Sequence, residues 1–299
     1  MGKGMKAFLI AACVCILLGI LLLAGVLIMG GKDIVKQAVS GGIYFSEDGF
    51  HIGDMDVSEY IDTGKLEFDS TKEKEFLADS FENLDFDLTA GSFEIVEGDS
   101  DKIIVRSAKK IDMAQSGKTL TVVTDKGVKV HSFGIANKGH HVEITLPKDK
   151  KFHNIELEVG AGQLEADSLV AEDIKMHIGA GSIIVDTLTC EEGEIVVGAG
   201  EAIINEGVCG KLDLEVGLGD LQYDGSLSGD LDAECGMGNM DISLDGKEED
   251  FNYQIEVGMG SITVENNSYG GMAQSKEIDN GADAKMDLDC GMGSINIEF

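Results

Sequence analysis

The sequence predicts an all-β fold: a β-solenoid, similar to a single-stranded β-helix, with about 19-residue rungs and one transmembrane helix before it. Three observations lead there. A Gly-x-Gly recurs every 19 residues, at Gly160/Gly162, Gly179/Gly181, Gly198/Gly200, Gly217/Gly219 and Gly236/Gly238. Apolar and polar residues alternate on either side of each glycine pair, the period of a strand with one buried face. An uncharged run of 24 residues, Ala7 to Gly30, stands ahead of the repeats.

At 1.5 Å per residue that run makes a helix of about 36 Å, enough to cross a hydrocarbon core of about 30 Å. It exceeds the apolar stretch of a cleavable signal peptide, and the faint lipoprotein-like box Ile10-Ala-Ala-Cys13 has too short an apolar segment before it. Lys3 and Lys6 precede the span and all 55 acidic residues follow it, although Lys32 and Lys36 also sit close. The expected topology is therefore a cytoplasmic tip and helix at 1–31, with the C-terminal part outside the cytoplasm. Residues 32–80 are polar and without a sustained period, and read as a juxtamembrane spacer with one short structured piece.

The solenoid domain is expected over 81–299, with regular repeats from 155. Its first copy is degenerate: Leu84, Phe86 and Leu88 precede Thr89, which replaces the first glycine, and Phe93 and Ile95 follow. From Ile103 to Leu146 strand-like runs lack the glycines, and Glu97-Gly98-Asp99 and Asp125-Lys126-Gly127 supply turns; these read as wider coils or hairpins capping the start. In the regular copies Ile155, Leu157 and Val159 alternate before the glycines, and Leu164 and Ala166 resume in shifted phase after them. A phase change around two glycines marks a corner, so each copy holds at least two short strands. No copy buries its apolar face alone, so the copies must stack. Two further pairs, Gly258/Gly260 and Gly291/Gly293, come after longer spacings, and the extra residues, Lys247–Asn252 and Asn266–Ala284, are expected to bulge from one edge.

These columns resemble a bacterial putative-adhesin family of unknown function, often found with envelope-stress systems. The resemblance covers roughly residues 81–299 and rests on Val159-Gly-Ala-Gly162, Ile178-Gly-Ala-Gly181, Cys235-Gly-Met-Gly238 and the Ile144-Thr-Leu-Pro147 approach to the repeats. It implies a solenoid-like envelope protein and brings no catalytic residues to transfer.

Composition narrows the function. An apolar fraction of 43% supports a core, whereas 23 Lys and Arg against 55 Asp and Glu give a net charge of -32. So negative a surface repels nucleic acid, and Arg106 is the one arginine. The glycines are no nucleotide loop, since neither a helix pattern nor Gly-Lys-Ser/Thr follows them. An enzyme acting on acidic polysaccharide needs basic residues, and most glycan cleavers use aromatic platforms; the chain has no Trp. No catalytic residue and no cofactor are expected. His131, His140, His141 and His177 have no ligand spacing, and Gly98-Asp-Ser-Asp101 reads as a turn.

Two groups of residues carry chemistry. Cys190 and Cys209 are 19 apart in one column, whereas Cys235 and Cys290 replace a buried Val in theirs. Consecutive stacking places the first pair one rung apart, about 4.8 Å and within disulfide range, and the second two rungs apart, about 9.6 Å and beyond bridging. The outward columns stack Asp213, Asp232 and Asp287, and Glu215, Glu234, Glu256 and Asp289. Like charges about 5 Å apart should raise one another's pKa, and these seven are the weak candidates for divalent-cation ligands. The reading with the most support is a membrane-anchored, non-enzymatic scaffold or adhesin-like, envelope-stress interaction module whose partner is an envelope protein or a glycan. The alternative is a self-assembling, bactofilin-like polymer pairing through the strand edge left by the last copy; a polysaccharide-active enzyme ranks third.

Overall fold

The computed structural model describes residues 73–89, 91–124, 140–148 and 150–299, together with the backbone of 43–46 and 49–52. β1 (Ile43–Ser46) and β2 (Gly49–Ile52) form an antiparallel hairpin within the stretch read as spacer. The expected membrane span at 7–30 lies outside the described residues, among which no helix is long and apolar enough to cross a membrane.

Alternation dictates the rest. In β10 (Phe152–Val159) Ile155, Leu157 and Val159 point inward while Glu156 and Glu158 face solvent. β11 (Gln163–Ile178), β12 (Ser182–Val197) and β13 (Glu201–Val216) repeat the pattern as 16-residue bent strands. Along β11 the buried set runs Leu164, Ala166, then Leu169, Ala171, then Ile174, Met176, Ile178. The phase slips twice inside the strand and once at the glycines, so a regular rung has three faces where the sequence suggested at least two. Parallel pairing in the 19-residue register joins each rung to the next, as in Ile155↔Ile174 and Ile174↔Gly193.

The stack contains nine rungs, and chain order fails at both ends. At the start, β4 (Asn83–Leu88) and β5 (Gly91–Gly98) form the degenerate copy, in register with β10 and β11 as the sequence predicts. Outside it lies a rung made later in the chain, from β8 (Thr119–Val123) and β9 (His140–Pro147), parallel to β4 and β5. Antiparallel strands then cover that rung: β7 (Asp112–Ser116) pairs with β8, β6 (Lys102–Ser107) with β9, and β3 (Glu73–Leu77) with β6. Arg106 ties this cap together, donating to Glu73 at 2.7 Å and to Glu143 at 2.6 Å.

The other end mirrors this. β14 (Asp220–Leu227), β15 (Leu231–Cys235) and β16 (Asn239–Leu244) continue the stack on β13. The chain then leaves a gap and builds the outermost rung from β17 (Phe251–Val257) and β18 (Ser261–Val264). β19 (Asn267–Gly270) and β20 (Gln274–Ile278) turn back as antiparallel covers on β18 and β17. Last, β21 (Ala284–Cys290) and β22 (Ser294–Glu298) fill the gap, each parallel to a neighbour on both sides.

Two expectations are corrected here. Cys235 and Cys290 are direct partners in adjacent rungs, not two rungs apart, because the last copy slots in ahead of the one before it in sequence. The insertion after Asn266 does not bulge from an edge but covers the open end. An exposed parallel edge invites pairing with another chain, and antiparallel covers remove it at both ends.

Candidate interaction face

The glycine pairs are held by stacking. None of the Gly-x-Gly residues from Gly160 onward has positive φ. Instead, a Cβ on the first glycine would meet the carbonyl oxygen of the equivalent residue one rung back, at 2.6 Å for Gly179 and 2.8 Å for Gly217. On the second the clash is tighter, 2.1 Å at Gly200 and Gly219. Between them the middle residue points outward while its N–H continues the ladder: Leu218 donates to Gly198 O at 2.7 Å, Met237 to Gly217 at 2.8 Å, Met292 to Gly236 at 2.7 Å and Met259 to Gly291 at 2.6 Å.

This corner is a straight ridge, and its chemistry changes halfway. In the earlier rungs the outward residues are Ala161, Ala180 and Ala199. In the last four they are Leu218, Met237, Met292 and Met259, which are 60%, 55%, 45% and 65% exposed. Ala273 N–H bonds to Gly258 O at 2.8 Å, and its neighbour Met272 is 88% exposed, so the covering loop extends the apolar line.

The adjoining face changes over the same rungs. In the earlier ones cross-rung polar contacts hold it together: Lys175 donates to Glu194 at 2.6 Å, and His153 Nδ1 lies 2.6 Å from Glu172. In the later ones the outward positions carry the seven acids singled out from sequence. Registers Asp213↔Asp232↔Asp287 and Glu215↔Glu234↔Asp289↔Glu256 run across four consecutive rungs. All seven therefore share one face, with Asp289 rather than Glu256 next to Glu234. Lys211 and Lys285 relieve the outer column through Asp213, at 3.0 Å, and Asp287, at 2.9 Å.

Burial first, and then Asp287 and Asp213, raises the pKa of Asp232. Burial, with Asp232 and Asp289 next, raises that of Glu234; burial, with Glu256 next, raises that of Asp289. Like-charge repulsion thus contributes at all three, second to burial. The carboxylates spread along the face, one per outward position. Among the described residues no group of three or more His, Cys, Asp or Glu side chains gathers where a metal ion would sit.

Cys235 and Cys290 lie behind this face, and Cys190 and Cys209 in the middle segment of β12 and β13. Cys190 donates to Cys209 across one rung, Sγ to Sγ 3.0 Å, and all four described cysteines are buried and free. The hydrogen bond from Cys190 holds the Cys209 thiol below its usual range, and one from Cys235 lowers Cys290 to about 7. His141, half-buried on β9, is lowered by burial, and His177 faces outward 3.7 Å from Glu194. His131 lies outside the described residues. Gly98–Asp101 links β5 to β6 as the expected turn. Sequence reading missed the ridge. Its signal was the residue between the glycines, Ala three times and then Leu or Met, already present in chain order.

Among the described residues, nine parallel rungs covered at both ends, with an apolar ridge beside an acidic face, define a β-solenoid. Residues 81–291 match the Toastrack DUF4097 family, and the chain belongs to it. Similar solved structures include a putative cell adhesion protein from Clostridium sporogenes, at 16% identity and a TM-score of 0.33 over 76% of this chain and 98% of that one. A putative adhesin from Bacteroides fragilis is similar at 14% identity and 0.38 over 75% and 95%. One from Parabacteroides merdae is similar at 17% and 0.34, with the same coverage. No curated protein matches the sequence.

Proposed function

We propose that the chain is a membrane-anchored, non-enzymatic interaction module whose solenoid stands outside the cytoplasm and offers its last four rungs to a partner. The observation carrying this reading is the change of outward residues within an otherwise uniform repeat. Inward columns are constrained by packing and the glycines by backbone approach, but nothing in the fold demands methionine on an exposed corner or stacked carboxylates beside it. Features that raise the folding cost and recur in four successive rungs point to binding. The anchoring half of the reading rests on the uncharged stretch 7–30 and on the acids that follow it.

The polymer alternative no longer rests on the edge of the last copy. β22, the strand that ends the chain, is paired on both sides, by β16 and β18, and offers no open edge. Topology is tested by adding protease to intact cells or protoplasts. The reading expects digestion beyond Lys32 while a cytoplasmic marker survives, and protection of both would overturn the extracytoplasmic placement.

A further inference from the structure

We infer that the apolar ridge and the acidic face together form a docking site for a basic amphipathic helix of a partner protein. The inference rests on the interaction-module reading but not on which side of the membrane the module stands.

Leu218, Met237, Met292 and Met259 advance by one rung each, about 4.8 Å per step and about 14 Å in all. A helical apolar stripe at i, i+3 or i+4, i+7 advances about 4.5–6 Å per step, so it meets the ridge tooth by tooth over roughly three turns. An extended strand repeats its side chains about 6.8 Å apart and drifts out of step after the first contact. Methionine suits such a line because its unbranched, polarisable side chain adapts to the surface laid on it.

Charge selects the sign of the partner. Glu215, Glu234, Asp289 and Glu256 stand two residues before the glycine corner, alongside the ridge in the same four rungs. On the other flank the first outward column begins with Asp220, followed by Asn239 and Ser294, so the negative charge lies mainly to one side. A helix with Lys or Arg on one border of its apolar stripe would meet both surfaces and offset the like-charge repulsion that, after burial, raises Asp232, Glu234 and Asp289. A second copy of the chain, at net charge -32, is repelled from the same place.

The test uses the full-length chain in zwitterionic-lipid nanodiscs, with empty discs as reference, and three synthetic peptides: an amphipathic Leu/Lys helix, its Leu/Glu counterpart, and a Lys/Ser peptide of equal charge without an apolar stripe. The Leu/Lys helix should bind at least tenfold more tightly than either other peptide, and more weakly as salt rises. Combining Met237→Ser, Met259→Ser and Met292→Ser should cost at least tenfold in affinity. Ala161→Ser, Ala180→Ser and Ala199→Ser, at the other end of the same corner, should cost nothing. Glu215→Gln with Glu234→Gln, which leaves the core untouched, should flatten the salt dependence even if the methionine variant fails to fold. Equal binding of the Leu/Glu helix, unchanged binding by the methionine variant, or a dimer that the variant abolishes would overturn the inference.

Discussion

At Gly200 a single methyl group would stand 2.1 Å from the carbonyl oxygen of Gly181, a separation no real Cβ shows. Backbone cannot yield as a flexible side chain does, so the rungs must part at that corner and weaken the bonds of Ala199 and Glu201 to the rung behind. Gly200→Ala should therefore cost about 3 kcal/mol or more, near the top of the overpacking range, and lower the melting midpoint by about 6–12 °C in a domain of this size. Ala199→Ser, one residue away and pointing outward, should move the midpoint by less than about 2 °C. An unchanged midpoint for Gly200→Ala would show that close stacking is not what the glycines serve. Gly207 illustrates the same economy of space: its missing side chain is filled by Tyr223 from the next rung, whose ring would lie 2.3 Å from an added Cβ. The column of Leu169, Leu188 and Gly207 is buried throughout, but the reason one member is glycine appears only with its neighbour in place.

The strands, their inward faces and the degenerate first copy were legible because a period of two with one buried face admits a single register. Val159 must stack on Ile178 or turn every neighbour inside out. What was not legible is the order of the outer rungs. β17 and β21 carry the same apolar alternation, and either fits against β15, so the columns alone do not say which lies inside. The decision belongs to the residues between them. The chain from Asn267 to Ile278 has to cover an edge, and it does so where β18 and β17 are outermost, leaving the last copy to enter the gap. At the other end Arg106 plays the corresponding role, since Glu73 and Glu143 reach it from β3 and β9 only if β6 lies between them. The candidate site inherits this limit. Its seven acids were found from sequence, but their order along the face, and that of the methionines beside them, depends on which rung is where.

Across the whole molecule the charge has a thermodynamic signature. Folding raises the pKa of Asp232, Glu234 and Asp289 above their ordinary values, so these groups bind protons more readily folded than unfolded. Their contribution to stability is full below the ordinary carboxylate range and is lost as pH rises through the raised folded values. Glu191 and Glu194 shift the other way through Lys151 and Lys175, and their contribution is lost only as pH falls below the ordinary range. Between pH 7 and about 5 the raised carboxylates favour the folded state on acidification while His141, lowered by burial, opposes it, so the midpoint should rise on acidification in a His141→Gln variant, and at pH 7 it should rise with salt, which screens the repulsion. Midpoints that ignore salt and fall steadily from pH 7 to 5 would mean that solvent already dissipates the repulsion. The threading of the last copy places Asp289 and Met292 between their counterparts in β15 and β17, and so sets the order of side chains along the acidic face and the ridge. The thiols read that threading directly. With Cys13→Ser and Cys15→Ser to remove the other cysteines, mild oxidation of the folded chain by copper–phenanthroline and peptide mapping should yield two links, Cys190–Cys209 and Cys235–Cys290. Both stacking orders put the first pair in adjacent rungs, so its formation controls for access of the oxidant. The second link alone depends on the last copy lying against β15. Finding Cys190 joined to Cys209 while Cys235 and Cys290 both remain free would contradict the rung order, and with it the order of side chains along those four rungs.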